Sequence, residues 1–135
     1  NPHALVVDID GDSSFNMTMT ELSTAVMYEL PIKVCILNNC YMGMVRQWQE
    51  LFYGRRYSSS WLKNPDFAKV AEALGAVGLQ TDQKKDVPRI IKQMLAEKRP
   101  CVVDFHVDKE ENVWPMVPAG KSLNEMDGLN IFEMA

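Results

Sequence analysis

The 135-residue chain is poor in cysteine and histidine and has no long apolar run, and each shortage excludes a class of protein. Its three cysteines, Cys35, Cys40 and Cys101, form an odd set with neither a CxxC spacing nor a Cys/His pattern. That argues against a disulfide framework or a zinc site and for a reduced, cytosol-like compartment. No apolar stretch approaches the roughly 18 residues of a membrane span, and no basic-then-apolar leader opens the chain. Positive charge is short as well. The 14 Lys and Arg against 18 Asp and Glu give a formal charge of −4, contrary to a nucleic-acid or anionic-membrane surface. Repeats, low-complexity tracts and Gly/Ser linkers are absent, so one domain over residues 1–135 is expected, with a tail from 108 to 135. No initiator Met precedes Asn1-Pro2-His3, and an apolar run begins by Ala4; a piece cut from a longer protein is expected.

What is present is a core-forming composition, 47% hydrophobic and 24% charged. Ala4 to Ile9 is a short apolar run, bounded by Pro2 and Gly11, that reads as a strand covered on both faces. A polar turn over Asp10 to Ser14 follows. From about Asn16 to Leu30, Met19, Leu22, Ala25, Val26 and Met27 lie near helical spacing, with Thr18 or Thr20 as caps and Pro31 as the stop. Ile32 to Leu37 is a second buried strand ending at Asn38-Asn39, and the crossover between the two strands makes them parallel. A helix from Gly43 carries Val45, Trp48, Leu51 and Phe52 on one side. Residues 54–64 read as loop. Pro65-Asp66 opens a helix through Leu74 that Gly75 ends. Ala76 to Leu79 reads as a short strand, Val87 to Lys98 as an amphipathic helix with Ile90, Ile91, Met94 and Leu95 inward, and Cys101 to Val107 as a last strand. This alternation predicts an α/β fold, a doubly wound parallel sheet with helices on both faces.

Ligands of such sheets bind beyond the carboxyl ends of the strands. Two polar clusters land there, Asp10-Gly11-Asp12-Ser13-Ser14 and Asn38-Asn39. Each alone reads as an ordinary turn, because Asp and Asn are common after strands. Together, on two adjacent parallel strand ends, Asp12 and Asn39 form an oxygen-donor pair suited to a hard divalent cation such as Mg²⁺. Gly11 permits close backbone approach, Ser13 and Ser14 offer hydroxyls, and the helix after Asn39 aims free N–H groups at the same rim, as a diphosphate would need.

Competing readings of Asp8-Ile9-Asp10-Gly11-Asp12 fit less well. A calcium loop starting at Asp8 needs Gly where Ser13 stands and Glu where Met19 stands. A haloacid-dehalogenase-type phosphatase, with Asp8 as nucleophile and Asp10 as acid/base, wants Thr or Val at Asp12 and a later acidic pair that the chain lacks. His3 and His106 read as packed or solvated, Cys40 as an incidental small residue, and Arg55-Arg56 as a solvated loop pair. Met42 and Met44, beside the cradle, can line an adaptable apolar pocket, while Trp48 reads first as core.

Gly11-Asp12-Ser13 followed by Asn38-Asn39 resembles the thiamine-diphosphate motif, with Ser13 where Gly is commoner. The surrounding residues, Asp12 to Thr18, Leu37-Asn38-Asn39, Gly43 to Gln49, Leu51-Phe52-Tyr53 and Pro115 to Gly120, resemble the acetohydroxyacid synthase (acetolactate synthase) catalytic large subunits. The resemblance runs from about Ala4 to Met126 and covers only the last part of that subunit's carboxy-terminal cofactor domain.

The resemblance implies a thiamine-diphosphate-binding fold, in part. It makes Asp12 and Asn39 side-chain ligands of Mg²⁺ and Tyr41 a backbone-carbonyl ligand. Gly11, Ser13, Ser14 and Gly43 would cradle the diphosphate, Met17 and Met44 would pack near the cofactor, and Met44 and Trp48 would shape the substrate pocket. The segment from Trp114 to Gly120 would close over the site. The implied reaction decarboxylates pyruvate and transfers the two-carbon unit to a second 2-ketoacid, toward branched-chain amino acids. The resemblance also implies FAD in the full-length protein, a homo-oligomer with its active site at a subunit interface, a regulatory small subunit, and a cytoplasmic or organellar location. No catalytic residue is expected within the chain, since the activating Glu belongs to an amino-terminal domain, and the chain alone is expected to be inactive. The alternatives are another thiamine-diphosphate-dependent decarboxylase or carboligase, or a stand-alone diphosphate-binding module.

Overall fold

Four short runs rich in β-branched and apolar residues become the strands of one parallel sheet. The computed structural model describes residues 4–128, so His3 and the last seven residues of the expected tail lie outside the described residues. The strands are β1 (Val7–Gly11), β2 (Lys33–Asn38), β3 (Val77–Thr81) and β4 (Cys101–His106), in the order β1-β2-β4-β3. Every pairing is parallel, with Gly11 opposite Leu37 and Asn38 opposite His106. All four carboxyl ends therefore share one rim.

Helices lie on both faces. Phe15 of α1 (Asp12–Thr18), Leu22 and Ala25 of α2 (Leu22–Met27), and Phe67 and Ala71 of α4 (Phe67–Ala73) pack with Val34, Ile36 and Val102. On the opposite face, Ile90 and Met94 of α5 (Val87–Ala96) meet Cys101, Val103 and Phe105. Phe15 and Phe67 meet edge to face, centroids 5.4 Å apart, which ties α1 to α4. Among the described residues no helix is long and apolar enough to cross a membrane.

The helix expected from Asn16 starts earlier, at Asp12, because Gly11 is extended (ψ 158°) and serves as N-cap. A 3-10 turn over Met19–Glu21 breaks it, and neither Thr18 nor Thr20 caps by its side chain; Thr18 Oγ1 instead donates back to the Ser14 carbonyl. Asp66 does cap α4, accepting from Lys69 N, and Gly75 ends that helix at φ +93°. Two expectations about burial fail. The first strand is not covered on both faces: β1 is an edge strand and Ile9 is 72% exposed, because α5 reaches only β3 and β4 with part of β2. On α5, Ile91 and Leu95 face outward, lying one residue round the helix from the inward pair Ile90 and Met94.

Helix α3 (Gly43–Phe52) turns the opposite way from its apolar pattern. Val45, Trp48, Leu51 and Phe52 are exposed, and the buried residues are Arg46 and Gln47. The tail explains this. Gln47 pairs with the backbone of Val113 through both amide atoms, Nε2 to the carbonyl at 2.9 Å and Oε1 from the N–H at 2.8 Å. Arg46 meets Glu50 at 3.0 Å and stacks against the rings of Tyr41 and Tyr57. A face that looks polar in one dimension is thus an inner face whose polar groups are all partnered.

Candidate functional site

The parallel pairing of β1 and β2 brings the first turn of α1 against the Asn38–Tyr41 turn. Asp12 is 2% exposed, and the Cys40 backbone N–H stands close enough to its carboxylate to favour the ionised form. Burial is the larger effect and raises the Asp12 carboxyl above the ordinary carboxylate range; the Asn64 amide and the N–H groups of residues 12, 13 and 40 offset part of that rise. No basic side chain forms a salt bridge with Asp12 among the described residues. A nearly inaccessible carboxylate lacking a cationic partner is a group that gains from a cation.

The turn beside it is built from Asn side chains folding onto their own backbone. Asn38 Oδ1 accepts from Cys40 N at 3.1 Å and Asn39 Oδ1 from Tyr41 N at 3.0 Å. Cys40 takes a left-handed conformation, φ 59°, uncommon for a residue with a side chain and frequent at functional turns. The loop between α3 and α4 straps this turn in place: Met42 N–H donates to Ser60 and Leu62 N–H to Cys40. The Met42 carbonyl accepts from Arg46, whereas the Tyr41 carbonyl accepts no backbone hydrogen bond among the described residues. A Cβ on Gly43 would stand 3.1 Å from Asn39 Nδ2, so a side chain there would crowd the turn.

Among the described residues no three His, Cys, Asp or Glu side chains are placed to hold a metal ion by themselves. A cation at this rim would draw its oxygens from one carboxylate, carboxamides, carbonyls and a ligand, which suits Mg²⁺ better than a softer metal. Asp12 and the Asn39 turn are therefore together, as the spacing implies. Ser14 is also at the rim, donating to Asp10 and to the Gly11 carbonyl. Asp10 accepts from Gly11 N and Ser14 as an ordinary turn residue, unlike a phosphatase acid/base. Met17 (74% exposed) faces solvent, and Met44 and Trp48 line a shallow apolar groove with Val45, Gln49 and Tyr53. Trp48 packs edge to face on Phe52 at that groove instead of entering the core. His106 lies at the rim 3.2 Å from Asp104, and burial together with Asp12 and Asp104 pushes the Cys40 thiol up, away from reactivity.

Sequence patterning passes over Asn64 and Asp104, both part of this site. Asn64 sits before Pro65 in the loop ahead of α4, where it reads as a turn residue; Asp104 lies within a strand where an apolar residue is the norm. The second of these was a visible signal, a carboxylate inside the run Cys101 to Val107.

The family described as thiamine pyrophosphate enzyme, C-terminal TPP binding domain, matches residues 1–105. The chain is 49% identical over 124 residues to the mitochondrial acetolactate synthase catalytic subunit of Saccharomyces cerevisiae, covering 92% of this chain and 18% of that protein. It is 50% identical over 131 residues to the acetolactate synthase of Mycobacterium leprae, covering 93% of this chain and 21% of that protein. Among solved structures it superimposes with TM-score 0.76 and 26% identity on the thiamine diphosphate-dependent 4-hydroxybenzoylformate decarboxylase of Rhodococcus jostii RHA1, over 83% of this chain and 21% of that one. The chain thus spans about a fifth of the length of these relatives. It belongs to the family of carboxy-terminal TPP-binding domains of thiamine pyrophosphate enzymes.

Proposed function

We propose that this chain is the Mg²⁺- and diphosphate-anchoring part of an acetolactate synthase catalytic subunit. One observation carries the reading: the buried Asp12 carboxylate, with no salt-bridge partner among the described residues, lies against the turn that contains Asn39. In this reading Asp12 and Asn39 hold Mg²⁺ through their side chains and Tyr41 through its carbonyl. Gly11, Ser13, Ser14 and Gly43 cradle the diphosphate, where the first-turn N–H groups of α3 add partial positive charge. Met17 and Met44 pack near the cofactor, and Met44 with Trp48 borders the pocket for the 2-ketoacids. The open, apolar groove at Met44 and Trp48 supports that last role.

Thiamine diphosphate, when bound, supplies the electron sink for decarboxylating a 2-ketoacid. The residues of this chain bind and orient it; Mg²⁺ anchors the diphosphate instead of activating the reacting carbon. The full-length protein condenses pyruvate with a second 2-ketoacid in branched-chain amino-acid synthesis, carries FAD, and assembles as a homo-oligomer with a regulatory small subunit. The Glu that activates the cofactor comes from a neighbouring subunit, so residues 1–135, a single domain within a longer protein, are inactive alone. Its location is cytoplasmic in a bacterium or organellar in a eukaryote, in keeping with mitochondrial and bacterial relatives.

The test is Asp12→Ala in the full-length protein, with thiamine-diphosphate binding followed by calorimetry across a Mg²⁺ titration. Loss of the Mg²⁺-dependent binding is expected, and unchanged affinity refutes the assignment. The structural likeness to a decarboxylase favours one second reading, a related decarboxylase or carboligase. Incubation with pyruvate separates them: acetolactate supports the synthase, and acetaldehyde alone supports the second reading.

A further inference from the structure

Asp12 is one end of a chain of hydrogen bonds that the cofactor reading leaves unused. Asn64 Nδ2 donates to Asp12 Oδ2 at 2.5 Å and to Asn38 Oδ1 at 3.0 Å. Asn38 Oδ1 also accepts from Cys40 N at 3.1 Å, and Asn38 Nδ2 donates to Asp104 Oδ2 at 3.3 Å. The direction of every bond follows from the two ends. A backbone N–H only donates and a carboxylate accepts, so one orientation of the Asn38 carboxamide serves both Cys40 and Asp104. That orientation turns its oxygen toward Asn64. Asp12 is an acceptor too, so Asn64 must present its nitrogen, and both of its N–H bonds are used. Asp12, Asn38 and Asp104 are 2%, 4% and 1% exposed, which leaves water little access to compete.

The backbone holds Asn64 there. Pro65 restricts the residue before it to extended conformations. The strap from Ser60 and Leu62 to the 40–42 segment fixes the loop on one side, and the Asp66 cap of α4 fixes it on the other. The Phe15–Phe67 contact lies three residues beyond Asp12 and three beyond Asn64, so it sets the spacing of the two helix starts. Among the described residues Asn64 is the only side-chain donor to Asp12. A carboxamide is suited to this position, because it donates without bringing the positive charge that would neutralise the carboxylate.

We propose that Asn64, oriented by Asn38 and Asp104, is a positioning residue that holds Asp12 by one oxygen in the rotamer that receives a divalent cation. This rests on the reading of Asp12 as a cation ligand. Partners that orient a metal ligand typically contribute about 10- to 100-fold in metal affinity.

The test uses the full-length protein, stripped of metal and titrated with Mn²⁺ in the presence of thiamine diphosphate, with bound Mn²⁺ read by electron paramagnetic resonance. Asn64→Leu removes the donor; Asn64→Ser keeps a shorter one and serves if the leucine variant fails to fold. Expected are a half-saturating Mn²⁺ concentration about 10- to 100-fold higher in Asn64→Leu, a smaller rise in Asn64→Ser, and an altered line shape of bound Mn²⁺. Amide exchange in β1 and β2 of the metal-free protein should be unchanged, which separates positioning from general loosening. Asp12→Ala, measured alongside, should abolish binding. Wild-type Mn²⁺ affinity and line shape in the folded Asn64 variants, with Asp12→Ala inactive in binding, overturn the role of Asn64 alone. Wild-type binding in Asp12→Ala overturns the cation reading and this inference with it.

Discussion

Gly78→Ala offers the sharpest test of how the sheet supports the site. Gly78 lies in β3 beneath α4, and a Cβ built on it would stand 2.0 Å from the Ala68 carbonyl oxygen and 2.6 Å from its carbon. Real contacts of this kind do not fall below about 3 Å, so α4 must retreat by at least roughly 1 Å; the obstacle is backbone, which no rotamer change relieves. Overpacking of this kind costs about 1–3 kcal/mol, and an unyielding partner puts it at the upper end. The stiffer unfolded chain of alanine returns about 0.4–1 kcal/mol. The net loss is about 2 kcal/mol in the stability of the α4–β3 unit. Because Asn64 sits just before α4, the displacement also carries the Asn64 amide away from Asp12. Amide hydrogen exchange in the full-length protein reads the first effect directly: protection across residues 67–81 should fall roughly 30-fold, since every 1.4 kcal/mol is a factor of ten. A weaker Mn²⁺ affinity should accompany it. Protection within about threefold of wild type would refute the steric reasoning.

Gln47→Leu should release the tail without opening the sheet. It removes two neutral hydrogen bonds to Val113, about 1–3 kcal/mol together, so limited proteolysis between residues 108 and 118 should accelerate while exchange in β2 and β4 stays slow. Equal cleavage rates would place the tail's anchorage elsewhere. Asp104 predicts a pH dependence. Burial raises its carboxyl above 3.8, with Asn38 and His106 opposing, and its Oδ1 is buried with no hydrogen-bond partner among the described residues. A raised folded pKa means the native state binds the proton more tightly than the unfolded chain. Its stabilising contribution is full below 3.8 and is lost as pH rises through the folded value. Across that window the thermal midpoint of the metal-free wild type should therefore fall relative to that of Asp104→Asn as pH rises; a difference between the two that stays constant with pH would exclude Asp104 as a source of pH dependence.

Local patterning made much of the fold legible. Apolar β-branched runs placed β2 and β4 to within a residue or two, Gly75 marked a real helix end, and the short run after Gly75 is β3, whereas α2 stops at Met27, four residues before the expected stop at Pro31. Parallel pairing then put Asp12 and the Asn39 turn on one rim, because a crossover leaves both strands pointing the same way. These are properties of neighbours in sequence or of simple topology, and periodicity records them. What periodicity does not record is which distant residue completes a contact. Asn64 reaches Asp12 across 52 residues, and Asn38 reaches Asp104 across 66, as does Gln47 the backbone of Val113. The same limit explains α3, whose apolar stripe suggested an inner face until the tail claimed the polar side, and β1, whose apolar run suggested burial that the edge of the sheet does not supply. Sequence alone determined most of the elements and the rim that carries the candidate site. Only tertiary structure decided which polar groups are buried together, because a buried hydrogen-bond network is set by packing across the chain and not by any spacing along it.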